Sequence, residues 1–275
     1  MSMAIHLRSI ALREPLPEPA RFPFDVPAVR ALRELGFDAP VTFFVGENGS
    51  GKSTLLEAIA ILARLPTIGS APVERDGTLA AQRQLAGSLK ATWSTRVRRG
   101  FFLRAEDFFG FARRVSELRS ELEAERDSRA AEFADASPLA RALAVGPMSG
   151  SLAELSARYG DGVDARSHGE SFLELFRTRF VPGGLYLLDE PEAALSPQSQ
   201  IGLLAMIAGM LAQNAQFIIA THSPILLALP GAHICEFTGD GMRRVAYDEL
   251  EHVTLTRAFL HDPVAFTRRL GFTDA

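Results

Sequence analysis

The sequence predicts an α/β fold, a largely parallel sheet covered by helices. Three stretches predict it. Val41-Thr42-Phe43-Phe44-Val45 is an apolar run of strand length. It leads into Gly46-Glu47-Asn48-Gly49-Ser50-Gly51-Lys52-Ser53-Thr54, after which Leu55, Leu56, Ile59 and Leu62 recur on one helix face. Leu185 to Leu188 is a second apolar run, ending in the carboxylates Asp189 and Glu190. Phe217 to Ala220 is a third, reached through a helix pattern that carries Ile201, Leu204, Ile207 and Leu211. Apolar strands that alternate with amphipathic helices are the pattern of a covered parallel sheet.

Composition sets the limits. A chain of 275 residues accommodates one large α/β domain, here residues 1–275, with room for an insertion. The apolar fraction of 47% and charged fraction of 23% are those of a globular protein in water. The net charge of −4 gives no overall attraction to nucleic acid or anionic membrane, although a local basic patch stays open. Cys235 is the single cysteine, which rules out an intramolecular disulfide and suits a reducing cytoplasm, the expected location. Met1 to His6 lacks a basic region followed by an apolar core, so no signal peptide is expected. The longest apolar segments, such as Leu203 to Leu211, are too short to span a bilayer, and work at a membrane would need a separate spanning partner.

In chain order, Ala4 to Leu7 and Ile10 to Leu12 read as a strand, and the proline-rich stretch from Glu14 to Pro27 as a loop or edge strand. Residues 28–36 are expected to form a short helix ending at Gly36, and Leu65 to Leu85 a long surface connection. Leu89 to Trp93 and Gly100 to Leu103 are expected strands. A helical block follows, with helices at Phe108 to Arg129, Leu139 to Leu143 and Leu152 to Arg158, forming a subdomain at about residues 108–180. Its charge run Glu121 to Arg129 reads as a solvated face, with a partner-binding helix as the other reading. Ser196-Pro197 marks a helix start, an N-cap followed by proline. Ile234 to Phe237 and Met242 to Ala246 predict a hairpin around Gly239-Asp240-Gly241, and Leu255 to Leu260 and Pro263 to Leu270 predict two last helices.

Chemistry concentrates at the strand ends. The stretch Gly46 to Ser53 fits G-x-x-x-x-G-K-[ST], the phosphate-binding loop. Its glycines allow a tight turn with N–H groups pointing inward, Lys52 supplies a charge for the β- and γ-phosphates, and Ser53 is placed to ligate Mg²⁺. The following helix aims the positive end of its dipole at the same phosphates. Asp189, at the end of a buried strand, is the candidate Mg²⁺ partner, and Glu190 the candidate that orients or deprotonates a water. Ser167-His168-Gly169-Glu170-Ser171 is a second helix start suited to an anion, or an ordinary cap. His222, in Ala220-Thr221-His222-Ser223-Pro224, stands just past a buried strand, where a structural histidine is the alternative. None of the histidines shows metal-ligand spacing with cysteine or acid neighbours, so zinc is not expected. Arg96, Arg98 and Arg99 form the densest basic cluster and read as a solvated turn, with nucleic-acid contact as the alternative.

Taken in order, the phosphate loop, S-H-G-E-S, L-L-D-E-P and T-H-S-P resemble the ABC-type ATPases over about residues 40–225, and within them the SMC, RecF and OLD-like branch. Transporter signatures usually read L-S-G-G-Q. Here Arg166 and His168 replace the leucine and first glycine, and Glu170 replaces the glutamine, as in the maintenance and repair branch. The resemblance implies a P-loop NTPase fold, an ABC-ATPase head-type mixed sheet flanked by helices, with a helical insertion before the signature motif. It implies ATP and Mg²⁺ as cofactors and a homodimer holding ATP at its interface, with Ser167 and Gly169 of one copy completing the site of the other. It further implies a catalytic Glu190 and a switch role for His222. Ala194-Leu195-Ser196 stands where the family has its dimer-contact loop, without the usual aspartate. Glu106 is the candidate for the family's glutamine-loop metal contact, with Gln82 and Gln84 as alternatives, and Phe22 or Phe24 for adenine stacking, with core residues as the other reading of both. A separate effector protein is the implied output, in DNA maintenance or phage defence, with nucleic acid open as a partner. The alternative function is the cytoplasmic ATP-binding subunit of a membrane transporter.

Overall fold

The structure, a computed structural model, describes residues 4–13, 21–68, 79–159 and 168–272, without the side chains of 105–109, 111–112, 157–159 and 168–171. The elements run β1 (Leu7–Leu12), α1 (Pro27–Arg30), β2 (Glu34–Gly36), β3 (Val41–Gly46), α2 (Lys52–Ala63), α3 (Ala80–Ser88), β4 (Leu89–Trp93) and β5 (Gly100–Arg104). Then come α4 (Ala105–Glu132), α5 (Pro138–Tyr159), α6 (His168–Arg179), β6 (Leu185–Asp189), α7 (Pro197–Leu211), β7 (Gln216–Ala220) and α8 (Pro224–Leu227). The hairpin β8 (His233–Thr238) and β9 (Gly241–Val245) and the helices α9 (Glu251–His261) and α10 (Pro263–Arg269) follow.

Six strands form the main sheet in the order β5-β6-β7-β3-β8-β9. The pairings from β5 to β8 are parallel, and β9 closes the edge as an antiparallel hairpin partner of β8. A three-stranded antiparallel sheet, β2-β1-β4, lies beside it. Alternation along each central strand divides the core in two. Phe43, Tyr186, Leu188, Phe217 and Ile219 pack with Phe172 and Phe176 of α6 and Leu203 and Ile207 of α7. Phe44, Leu185, Leu187 and Ile218 pack on the other face with Leu55, Leu56 and Ile59 of α2 and with Leu7 and Ile10 of β1. A strand buried on both faces needs apolar residues at every position, which is why these runs are continuous rather than alternating. A buried polar side chain helps join the two sheets. Gln216, fully buried, accepts through Oε1 from the His6 and Leu7 N–H groups at 2.8 Å each and donates through Nε2 to the Leu7 carbonyl at 2.9 Å.

Three sequence expectations change. The helix expected over 28–36 stops at Arg30, and Glu34–Gly36 pairs with β1 instead, because β1 offers an open strand edge there. The surface connection expected over 65–85 contains α3 from Ala80, with Leu85 and Ala86 buried against α2; residues 69–78 of it lie outside the described residues. The helix expected over Phe108 to Arg129 is present as α4, 28 residues long, while the two short helices expected at Leu139 to Leu143 and Leu152 to Arg158 are one α5 of 22 residues, continuous through Pro147. Proline costs a helix one hydrogen bond and a steric clash, and packing of α5 along α4 offsets that cost. The charge run is exposed, as a solvated face requires. Among the described residues no helix is long and apolar enough to cross a membrane.

Candidate functional site

Parallel register brings the chemistry together. Arg104, Asp189 and Ala220 are neighbours across β5, β6 and β7, and Phe44 pairs with Ala220 across β3. The residues that follow these strands therefore emerge side by side, at the carboxyl ends where open α/β sheets bind ligands. Gly46 and Gly51 are required by shape as well as by turn. Both have positive φ, 148° and 101°, and a Cβ on Gly46 would sit 2.4 Å from the Phe237 carbonyl oxygen, one on Gly51 2.5 Å from a Val26 methyl. Glu47, Asn48 and Gly49 of the loop are exposed, while Ser50, Ser53 and Thr54 are half-buried.

Lys52 is buried and folds back over the loop, where its Nζ donates to the carbonyls of Gly46 at 2.8 Å and Glu47 at 2.9 Å. Burial lowers its pKa, while Glu190, Asp189 and Glu192 oppose the shift, so the ammonium is held among three carboxylates. Ser53 donates to Asp189 Oδ1 at 3.1 Å. Burial pushes Asp189 up to about 7 against the pull of that hydrogen bond. A hydroxyl and a buried carboxylate in contact beside a phosphate loop fit Mg²⁺, which takes one or two protein oxygens and fills its other positions with water and phosphate. Among the described residues no group of three or more His, Cys, Asp or Glu is placed to hold a metal ion.

Glu190 adopts a left-handed backbone, φ 49° and ψ 49°, which costs a non-glycine residue free energy and occurs where surrounding structure enforces it. Here its N–H donates to the Ala220 carbonyl at 2.9 Å, and Pro191 begins a 3-10 turn, Pro191–Ala194, whose Ala193 N–H donates to the Glu190 carbonyl at 3.0 Å. His222 is kept toward its neutral form by burial and by Lys52, with Glu190 opposing. Its backbone N–H donates to Glu192 Oε1 at 2.6 Å, while its Nε2 is buried with no hydrogen-bond partner among the described residues. Ser223 caps α8, accepting from the N–H groups of Ile225 and Leu226 at 3.2 and 3.1 Å, so this stretch is a helix start as well as a strand end.

The structure thus gathers Gly46 to Thr54, Asp189, Glu190 and His222. Gly169 lies in the first turn of α6, which packs on α7 and on the turn after Glu190. Ser167 lies outside the described residues, and Glu106 lies in the first turn of α4 with its side chain outside them. Gln82 donates to Glu57 Oε2 at 2.9 Å, and Arg104 pairs with Glu57 Oε1 at 3.3 Å beneath the site; Gln84 is exposed. Of the aromatic candidates, Phe24 belongs to the core beside β1, the second of its two readings, while Phe22 is 53% exposed.

Sequence reasoning missed Glu192 and His252. Glu192 was signalled only by being a third acid, directly after Asp189-Glu190-Pro191. His252, on α9, had no signal at all. With His222, Glu236 and Leu255 it lines a cleft of about 650 Å³ bordered by Val45 to Ser50, and its Nε2 too is buried without a partner among the described residues.

Comparison with known proteins gives local matches. Residues 29–63 match the family model of an AAA domain, and residues 171–228 match a second AAA-domain model, whose description names the AbiEii toxin and a Type IV TA system. Sixty residues are 43% identical to the DNA replication and repair protein RecF of Synechococcus sp. (strain JA-2-3B'a(2-13)), a match over 22% of this chain and 15% of that protein. Solved structures that resemble this chain include a nucleotide-free ATP-binding cassette from an ABC transporter (16% identity, 92% of this chain, 95% of that one, TM-score 0.47). Another is an ABC-transporter cassette in its ADP conformation (16% identity, 97% and 99%, TM-score 0.46).

Proposed function

We propose that this chain is a P-loop ATPase of the SMC/RecF/ABC-like type, to which its AAA-domain and RecF matches point, and that it hydrolyses ATP with Mg²⁺ as a nucleotide-driven dimer switch. The supporting observation is the convergence of Lys52, the Ser53–Asp189 pair, Glu190 and His222 at the ends of adjacent parallel strands.

The roles follow from the chemistry of each group. The loop N–H groups and the N-terminus of α2 receive the phosphates. Lys52 exchanges its two carbonyl partners for β- and γ-phosphate oxygens, a stronger charge-assisted bond. Ser53 and Asp189 would hold Mg²⁺, which would supply charge neutralisation at the phosphates. Glu190 orients the attacking water and takes its proton. His222, neutral, donates one ring N–H to the terminal phosphate, which also satisfies a buried nitrogen. Ser167 and Gly169 of a second copy close the site across the γ-phosphate. The output passes to a separate effector protein, in DNA maintenance or phage defence. Supporting that setting are the RecF likeness and the description of the second AAA model.

The test is Glu190→Gln. Removing a proton-accepting carboxylate is expected to lower kcat by about 10²–10⁴-fold while ATP still binds, and to accumulate an ATP-bound dimer in size-exclusion chromatography. Turnover at the wild-type rate would remove Glu190 from its role, and a monomer at every nucleotide state would remove the dimer switch.

A further inference from the structure

Glu192 lies two residues beyond Glu190, in the 3-10 turn Pro191–Ala194 that follows β6. Its Oε1 accepts the His222 backbone N–H at 2.6 Å, and the Thr221 hydroxyl also binds the carboxylate. It therefore ties the turn after one central strand to the loop after the next. Three further bonds set the frame around that tie. Glu190 N–H reaches back to the Ala220 carbonyl at 2.9 Å, Ala193 N–H to the Glu190 carbonyl at 3.0 Å, and Leu195 N–H to the Glu192 carbonyl at 2.9 Å.

We propose that Glu192 is a positioning residue for ATP hydrolysis, its carboxylate locking the His222 backbone to the turn that carries Glu190. The inference rests on the hydrolytic reading above. Its physical basis is that a carboxylate is costly to bury. Burial raises the Glu192 pKa, its Oε2 has no hydrogen-bond partner among the described residues, and Glu190 lies near enough to add repulsion. A group held on those terms needs a return, and the return includes a short, charge-assisted bond to one particular amide, beside the bond from the Thr221 hydroxyl. That amide belongs to the residue whose imidazole faces the phosphate loop. The left-handed Glu190 backbone makes the frame matter further. A strained residue keeps its conformation only while the bonds around it hold, and Glu192 anchors the turn on its far side. With Glu192 in place, the Glu190 carboxylate and the His222 ring approach a terminal phosphate as one unit. Without it, His222 keeps its ring but loses the bond that fixes its backbone, so nucleotide binding through the loop persists while the productive geometry is populated less often.

Three measurements on Glu192→Ala and Glu192→Gln decide the matter: kcat and KM for Mg-ATP, equilibrium binding of a fluorescent ATP analogue, and hydrogen–deuterium exchange of the His222 amide. Alanine is expected to lower kcat about tenfold, the scale of one lost charge-assisted hydrogen bond, with KM and analogue affinity within about twofold and faster exchange at His222. Glutamine keeps an acceptor and is expected to restore amide protection and most of kcat. A kcat for Glu192→Ala equal to wild type, or a glutamine variant no better than alanine, overturns the proposal. Should alanine unfold the protein, glutamine carries the test alone: near-normal kcat with a protected His222 amide supports it, and failure of either overturns it. Absence of turnover in the wild type would defeat the hydrolytic reading itself, while the exchange comparison would still report on the Glu192–His222 bond.

Discussion

The strand ends and the α4–α5 hairpin are built on opposite terms. Around the site, β3, β6 and β7 are buried along nearly their whole length, and Lys52 and Asp189 are buried with them. In the hairpin, α4 has one buried position among its described side chains, Val115, and α5 leaves Leu139 and Leu143 at 70% and 69% exposure. Side chains at the strand ends are fixed by sheet register and by both cores. The hairpin is fixed mainly by α4 lying on α5, with Arg119 donating to Ser156 at 3.3 Å across them. The difference teaches where precision is held. Catalytic geometry needs groups placed to a fraction of an ångström, which a doubly covered sheet provides and an exposed helical pair does not.

The sharpest way to break this contrast is Lys52→Ala. It removes the buried ammonium from among three carboxylates and is expected to lower kcat/KM for ATP by roughly 10³-fold, as loss of a phosphate-directed charge does. Steady-state phosphate release measures it. His222→Ala comes next, with an expected fall in kcat of about ten- to a hundredfold and little change in nucleotide affinity, read by the same assay beside equilibrium binding.

Asp189 sharpens the comparison through pH. Its folded pKa of about 7 lies above the ordinary 3.8, so the folded protein holds a proton that the unfolded chain has released. Without metal, that contribution to stability is complete below the unfolded value and is lost as pH rises through about 7. Urea midpoints in EDTA are therefore expected to show a loss between about pH 4 and 7, levelling off above, that Asp189→Asn reduces. Affinity for Mg-ATP is expected to run the other way, rising severalfold as the carboxylate ionises, because a metal competes with that proton. The smallest effect belongs to the hairpin. Leu139→Ser and Leu143→Ser are expected to change unfolding free energy by no more than about 0.5 kcal/mol and leave turnover intact, the usual result at exposed positions. A large loss of turnover there would mean that the hairpin positions the site after all.

How much was legible beforehand follows from what each feature depends on. Lys52, Ser53, Asp189 and the strands behind them announced themselves locally. A glycine loop needs particular residue types at fixed spacing, and a doubly buried strand needs an unbroken apolar run, so the motif and its scaffold are written in neighbouring letters. In the helical block, α4 was legible, but the two short helices expected after it are one α5, because packing along α4 carries that helix through Gly146 and Pro147, residues that disfavour a helix interior. The strand Glu34–Gly36 was misread because nothing in three residues reveals the open edge of β1.

The chain's own letters determined the fold class, the phosphate loop and the candidate acids, since these rest on local periodicity and backbone permission. Tertiary structure alone decided that Gln216 would join the two sheets, that His252 would border the loop, and that Glu192 would hold the amide of His222. The first and last of those are polar contacts between residues 30 to more than 200 positions apart, and which residue stands beside which across such a distance is set by strand order and register rather than by any pattern along the chain.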